Sequence, residues 1–343
     1  MTSFTTTLFP AIRRTALALG LAAALGFGLA GAPAQAEDTE MNFILDWAPH
    51  GMHAPFFLAA EKGWFKEAGL DVTFQDGRGS ASTVSLVGAG QGDLGHAGLN
   101  TMAIARTKGL PVVGVGSILR RNEVGILFDR GKGYAKPEDF KGKALIFTAG
   151  STEAPFIETF LKAGGMTDSD VELMAVDPAA KVSTYLSGKG DGVITPVPFI
   201  MAISEGKRNS DAVLFSDFGM PLLSWGIIAN EDYLKEHPAA VKAFMDVLAR
   251  SWAYTLESDA HLTEAVEAIQ KQRPEAKVSM DMGKAIFNAY RPYFYSPSTE
   301  GKPMGTMTKA DWDDTIATMK TLGLVPADAK AEAFYSLDYQ PQP

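Results

Sequence analysis

The chain has no cysteine among its 343 residues. That excludes disulfides, thiolate nucleophiles and cysteine-based metal sites, and it leaves packing to supply the stability. Histidine is scarce, with 5 in all. Only His50 and His53 stand three apart, in a loop, and no H-E-x-x-H occurs, so no metal is expected. There is no G-x-S-x-G elbow and no P-loop, and "GRGSAS" does not complete G-x-G-x-x-G, so no cofactor is expected either. Excess positive charge is also missing. The net charge is −9, and Arg13 and Arg14 are the only charged residues in the first 36, so the remainder is more acidic still. Such a chain is a poor candidate for nucleic acid or anionic lipid.

Long apolar runs are confined to the N-terminus. Arg13 and Arg14 precede Thr15–Ala30, and "GAPAQA" then places Ala34 and Ala36 as a small-x-small cleavage site. We expect residues 1–36 to be a secretory signal, cleaved after Ala36, rather than an anchor. No later stretch approaches the ~18 apolar residues of a membrane span. A cysteine-free exported chain fits a bacterial periplasm.

The whole chain is 46% hydrophobic with 34 Gly and 19 Pro, a composition that supports two lobes with a core each. From Met41 to about Asn230, apolar strand candidates alternate with helix-like periodic segments, which predicts an α/β fold with parallel sheets. The strand candidates are 41–45, 71–74, 94–98, 112–118, 124–128, 143–148, 171–176, 192–195, 212–215 and 226–229. The helical segments between them include 55–67, 82–89 and 101–108. Long helices follow, at 238–255, 262–271, 280–290 and 309–322. "VGILF" and "GIIA" are the expected crossing pair. Residues 37–123 and 230–343 then form lobe I, its second part helical, and 124–229 form lobe II.

Ligands of open parallel sheets bind beyond the strand C-termini, where loops and helix N-termini meet. Five such junctions carry unusual chemistry. "DWAPHGMH" holds Asp46, Trp47 and His53. "QDGRGSAST" offers Ser80, Ser82 and Thr83 as caps, and "LGHAGLNT" puts Asn100 and Thr101 at a helix start. In the other lobe, "TAGSTEAP" sets Gly150, Ser151, Thr152 and Glu153 before Pro155, and "ITPVPF" holds Pro196 and Pro198. Each alone reads more readily as ordinary capping or core; five at the same end of their strands put a cleft between two lobes.

The turn "DW-x-P-x-x-x-H-A-P", then "LAAEKGWFKEAGLDV", "LVGAGQGDLGHAG" and "ARTKGLPVVGVGSILRRNEVGILF", resemble the thiamine-pyrimidine-precursor branch of periplasmic binding proteins, related to nitrate-, taurine- and alkanesulfonate-binding proteins. The resemblance implies a type II periplasmic binding fold, with the cleft between lobes joined by two crossing strands. It implies a monomer that serves as the substrate-binding component of an ABC importer, with an inner-membrane permease as partner. A small planar nitrogen heterocycle, such as a thiamine pyrimidine precursor, would be the ligand. Trp47 would then stack on that ligand and Asp46 would accept from an exocyclic amine. His53 would hold the loop or reach the ligand. Fungal pyrimidine synthases of the same family use a lysine, a histidine and a cysteine-rich motif. Here Ala97 and Thr101 stand at the corresponding positions and cysteine is absent, so no enzyme is expected. A sulfonate, nitrate or other anion binder is the alternative, kept open by Arg78, Arg120 and Arg121; an exported pyrimidine-modifying enzyme is a third.

Overall fold

The computed structural model describes residues 38–342, so the expected signal segment at 1–36 lies outside the described residues. Ten strands form: β1 (Thr39–Ile44), β2 (Leu70–Gln75), β3 (Leu94–Gly98), β4 (Val112–Ser117), β5 (Val124–Asp129), β6 (Ala144–Phe147), β7 (Glu172–Ala175), β8 (Gly192–Pro196), β9 (Ser210–Leu214) and β10 (Trp225–Asn230). Each coincides with an apolar run of the sequence. They assemble into two five-stranded sheets, ordered β2-β1-β3-β10-β4 and β7-β6-β8-β5-β9. The central strands β3 and β8 are buried along their whole length, whereas the edge strand β2 buries only Leu70 and then alternates exposed and half-buried residues.

The sheets are mixed rather than parallel. β1 runs parallel to β2 and β3, but β10 is antiparallel to β3 and β4; β6 runs parallel to β7 and β8, but β5 is antiparallel to β8 and β9. The cause is topological. The chain leaves each sheet at the end where its parallel strands finish and enters the other at the same end. The first strand after each passage therefore runs backwards. Because β10 pairs within the first sheet, the second passage ends before Trp225, upstream of the division expected at Ala229. The crossing pieces are thus Ile118–Glu123 and Phe215–Ser224, not the strands themselves. They are bonded together: Ser224 N donates to Leu119 O at 3.0 Å, and Asn122 Nδ2 donates to Met220 O at 2.9 Å.

The helices are α1 (Ala54–Glu61), α2 (Trp64–Glu67), α3 (Ser80–Gly88), α4 (Leu99–Thr107), α5 (Ile157–Ala163), α6 (Lys181–Leu186), α7 (Val197–Ser204), α8 (Glu231–Glu236), α9 (Pro238–Glu257), α10 (Asp259–Gln272), α11 (Met280–Tyr290) and α12 (Lys309–Thr321). The helix expected over 55–67 is broken by a turn at Lys62–Gly63. The helices after β10 pack on the first sheet, as a lobe built from both ends of the chain requires. Phe43 of β1 meets Phe56 of α1 at 4.9 Å and Phe244 of α9 at 5.1 Å, and Trp252 closes edge-on against Phe56 at 4.9 Å. α11 reaches further, packing on α7 of the second sheet and on the 3-10 turn Gly51–His53. Gly51 makes that seat possible, since a Cβ there would fall 2.0 Å from the Gly283 carbonyl oxygen. Among the described residues no helix is long and apolar enough to cross a membrane.

Candidate ligand cleft

The loops at the facing ends of the two sheets meet around a pocket with about 400 Å³ of space, part of it open to solvent. On the first lobe, the loop after β1 is tied to the loop after β2, with Gly79 N donating to Asp46 O at 2.8 Å. The lobes approach closely at Gly79. Its φ is +116°, a side chain there would sit 2.9 Å from the Gly150 oxygen, and Ala81 N donates to that same oxygen at 3.0 Å. The lobes touch again where Thr152 Oγ1 donates to Asn100 Oδ1 at 3.4 Å.

Asp46 is 4% exposed, and its Oδ1 accepts from His53 Nε2 at 2.8 Å and from His96 Nδ1 at 2.7 Å. Burial alone raises a carboxyl; the charge of His96 and the two donated bonds outweigh it and hold Asp46 well below the usual carboxylate range. His53 Nδ1 accepts from His50 N at 3.3 Å, and with Nε2 donating to Asp46 the ring is the neutral tautomer. Burial pushes both His53 and His50 below the ordinary imidazole value. His53 is fully buried and holds the turn; it does not face the cleft. Asp46, His53 and His96 offer metal-ligand atoms within 4.8 Å of one another. Both imidazoles already donate to the carboxylate, so the cluster satisfies its charge internally.

Of the residues singled out in the sequence, Asp46, Trp47, Ser80, Ser151, Thr152, Glu153 and Pro196 line the cavity. His53, Asn100 and Gly150 stand behind it. Their local roles differ from simple capping. Ser80 Oγ accepts from Gly98 N at 2.9 Å instead of capping α3, and Thr83 Oγ1 donates to Leu45 O at 2.7 Å. Ser151 Oγ donates to Thr148 O at 2.8 Å.

His50, Lys181, Phe199 and Trp225 also line the cavity and carry side chains the sequence reading did not assign to it. His50 and Phe199 face one another across the lobes, ring centres 4.8 Å apart. Lys181 Nζ donates to Glu153 Oε1, and both residues are buried, at 3% and 1% exposure. A lysine opening a helix after Asp-Pro-Ala-Ala reads as a solvated charge; nothing local marks a partner 28 residues away. Among the described residues lining the cavity, Lys181 is the one cation, and Glu153 neutralises it. The arginines that kept an anion in view are placed elsewhere. Arg78 pairs with Asp177 on the surface at 3.2 Å, Arg120 donates to the carbonyls of Phe294, Pro303 and Thr306, and Arg121 donates to Pro292 O.

Comparison with known proteins agrees with this architecture. The alkanesulfonate-binding protein SsuA from Xanthomonas axonopodis pv. citri superposes with a TM-score of 0.64 at 16% identity, covering 85% of this chain and 96% of that one. The formylaminopyrimidine-binding protein of Halalkalibacterium halodurans is 26% identical over 302 residues, 86% of this chain and 89% of that protein. The 4-amino-5-hydroxymethyl-2-methylpyrimidine phosphate synthase THI11 of Saccharomyces cerevisiae is 30% identical over 306 residues, 84% of this chain and 85% of that protein. The fold is that of the periplasmic binding proteins, and with residues 50–261 matching the family described as NMT1/THI5 like, the chain belongs to that family.

Proposed function

We propose that this protein is the substrate-binding component of an ABC importer and that it captures a small planar nitrogen heterocycle, with a thiamine pyrimidine precursor favoured. The observation that carries this reading is the charge of the cleft. An ionised Asp46 lies beside the Trp47 indole, and the one lining cation, Lys181, is consumed by Glu153. A flat, electron-poor ring suits the indole face, and an exocyclic amine suits an acceptor-only carboxylate. Ser151 and Thr152 complete the contact from the second lobe, and His53 keeps Asp46 in place. Residues 1–36 direct export to the periplasm and are removed. The lobes close over the ligand by rotation about Ile118–Glu123 and Phe215–Ser224, and the closed monomer docks on its permease.

Anion capture is the weaker alternative, because a sulfonate or nitrate needs an unneutralised cation or a free helix N-terminus. Synthase chemistry is the reading favoured by the fungal relatives' names. A thermal-shift screen against aminopyrimidines, flavins, nucleobases, sulfonates and nitrate separates these. Ligand at ~100 times its dissociation constant stabilises by ~2.7 kcal/mol. A shift with an aminopyrimidine, released chemically unchanged, supports capture. A shift with anions alone overturns the heterocycle reading, and a converted ligand overturns the binding-protein reading.

A further inference from the structure

The least satisfied buried group among the described residues is Glu123, in the first passage between the sheets. It is fully buried, and neither carboxyl oxygen has a hydrogen-bond partner. Native proteins partner nearly all such groups, because an unpaired buried carboxyl is costly. Glu123 is not isolated in this. Ser224 Oγ, Trp225 Nε1, Tyr290 OH and His96 Nε2 are equally buried and unpartnered. They belong to one neighbourhood: the Trp225 ring stands 5.5 Å from the rings of both His96 and Tyr290, and Ser224 precedes Trp225 in the chain. Ser224 lies close to the Glu123 carboxyl without meeting hydrogen-bond geometry. The neighbourhood backs directly onto the cleft, since Trp225 lines it and Glu123 O accepts from Val197 N, next to lining residue Pro196.

Glu123 itself stands behind Trp225 and Pro196 rather than in the cavity wall. We infer that, when the lobes part, Glu123 becomes a ligand-recognition residue that works as a neutral carboxylic acid, donating its O–H to a ring nitrogen and accepting from an adjacent exocyclic amine of a flat heterocycle. This rests on the heterocycle reading above and narrows it to ligands that carry an amine beside an unprotonated ring nitrogen. The surroundings keep the proton on. Burial pushes the carboxyl up to about 8, outweighing the Ser224 hydroxyl and Glu123's own backbone amide, which pull it down, and the charges of Glu153 and Asp46 push it up further. Tyr290 and Tyr293 face it and are themselves raised, by burial first and by Glu123 next. No cation offsets this: Lys181 is held by Glu153, His96 by Asp46, and Arg120 and Arg121 by backbone carbonyls. A protonated carboxyl offers one donor and one acceptor side by side, the complement of an amidine-like edge. The same acceptor oxygen repels a sulfonate.

The test compares 4-aminopyrimidine with pyrimidine, the same ring without the amine, by calorimetry from about pH 7 to about pH 9.5. In the wild type, 4-aminopyrimidine should bind at least about tenfold tighter below pH 8, then weaken by up to about tenfold per pH unit above it. Glu123→Gln presents the same donor and acceptor without a titrating proton. It should bind within about threefold of wild type and lose the pH dependence. Carboxyl NMR of the ligand-free wild type should place the Glu123 titration near 8, independent of any ligand. Equal binding of both probes, or a pH profile that persists in Glu123→Gln, overturns this inference alone. Failure to bind either probe, with Glu123 titrating near 8, instead removes the heterocycle reading and this inference with it.

Discussion

Two carboxyls, Asp46 in the cleft wall and Glu123 behind it, are both withdrawn from water, and their neighbours drive them in opposite directions. Asp46 receives two imidazole N–H bonds and stays ionised; Glu123 has only the Ser224 hydroxyl and its own backbone amide nearby, neither in full hydrogen-bond geometry, and burial pushes it up to about 8. Burial raises both, so burial cannot explain the difference. What decides it is whether the fold sends a donor. The first lobe commits His53 and His96 to Asp46, while the passage segment surrounds Glu123 with a serine, two tyrosines and two further acids. The result is an acceptor-only group on one side of the cleft and a donor–acceptor group on the other, made from the same functional group.

The sharpest way to break this contrast is to remove Glu123's proton from the account. A carboxyl raised in the folded state contributes fully below its ordinary value of 4.5, and that contribution is lost as pH rises through about 8. Wild-type stability should therefore fall across that window. Glu123→Gln should be more stable than wild type by about 3–5 kcal/mol at pH 9, with the gap closing towards pH 4.5. Denaturant titrations of both proteins at several pH values measure it; parallel pH profiles would show that Glu123 is solvated or paired.

Asp46 has the opposite sign. Its folded value is depressed, so its contribution is complete above the ordinary carboxylate value and is lost only as pH falls through a lower one. His50 and His53, buried neutral, add acid sensitivity as the unfolded chain takes up protons near their ordinary value of 6.5. Asp46→Asn keeps the shape but weakens two charge-assisted bonds. It should lower stability by about 1.5–3 kcal/mol at neutral pH and cost affinity for amine-bearing ligands most. A variant as stable as wild type would mean the histidines do not rely on Asp46.

All ten strands and the long C-terminal helices were legible in the sequence, because burial in a sheet or along a helix face leaves a local pattern. Strand direction left none. Nothing in "GIIA" marks it as antiparallel, since that follows from where the chain crosses between the sheets. The site was half legible for the same reason. Asp46, Trp47 and the Ser151–Glu153 stretch sit in loops whose composition is odd for a turn. Lys181 and Trp225 acquire their place from partners far along the chain, and an apolar tryptophan beside a strand reads as core. Ser80 looked like a cap, but the Gly98 amide of the neighbouring strand competes for it and wins.

Smaller effects test whether the cleft is held from both lobes. Trp47→Ala should weaken aminopyrimidine binding about two- to thirteen-fold through lost stacking, about 0.5–1.5 kcal/mol, and more through lost burial. Its unfolding midpoint without ligand should barely move, because Trp47 is only partly buried. Unchanged affinity would take the indole out of the site.

The weakest link across the cleft should be the Arg78–Asp177 pair. It joins the lobes at 3.2 Å, but both side chains are largely in water, at 74% and 57% exposure. Such a pair is screened and flexible, so Arg78→Ala should change ligand affinity by less than about fivefold, and the difference should shrink further in high salt. The other contacts between the lobes are more withdrawn from water: Gly79 against Gly150, His50 against Phe199, and α11 on α7. If Arg78→Ala cost as much affinity as Asp46→Asn, closure would be driven by surface charge, and the buried carboxyls would have little part in choosing the ligand.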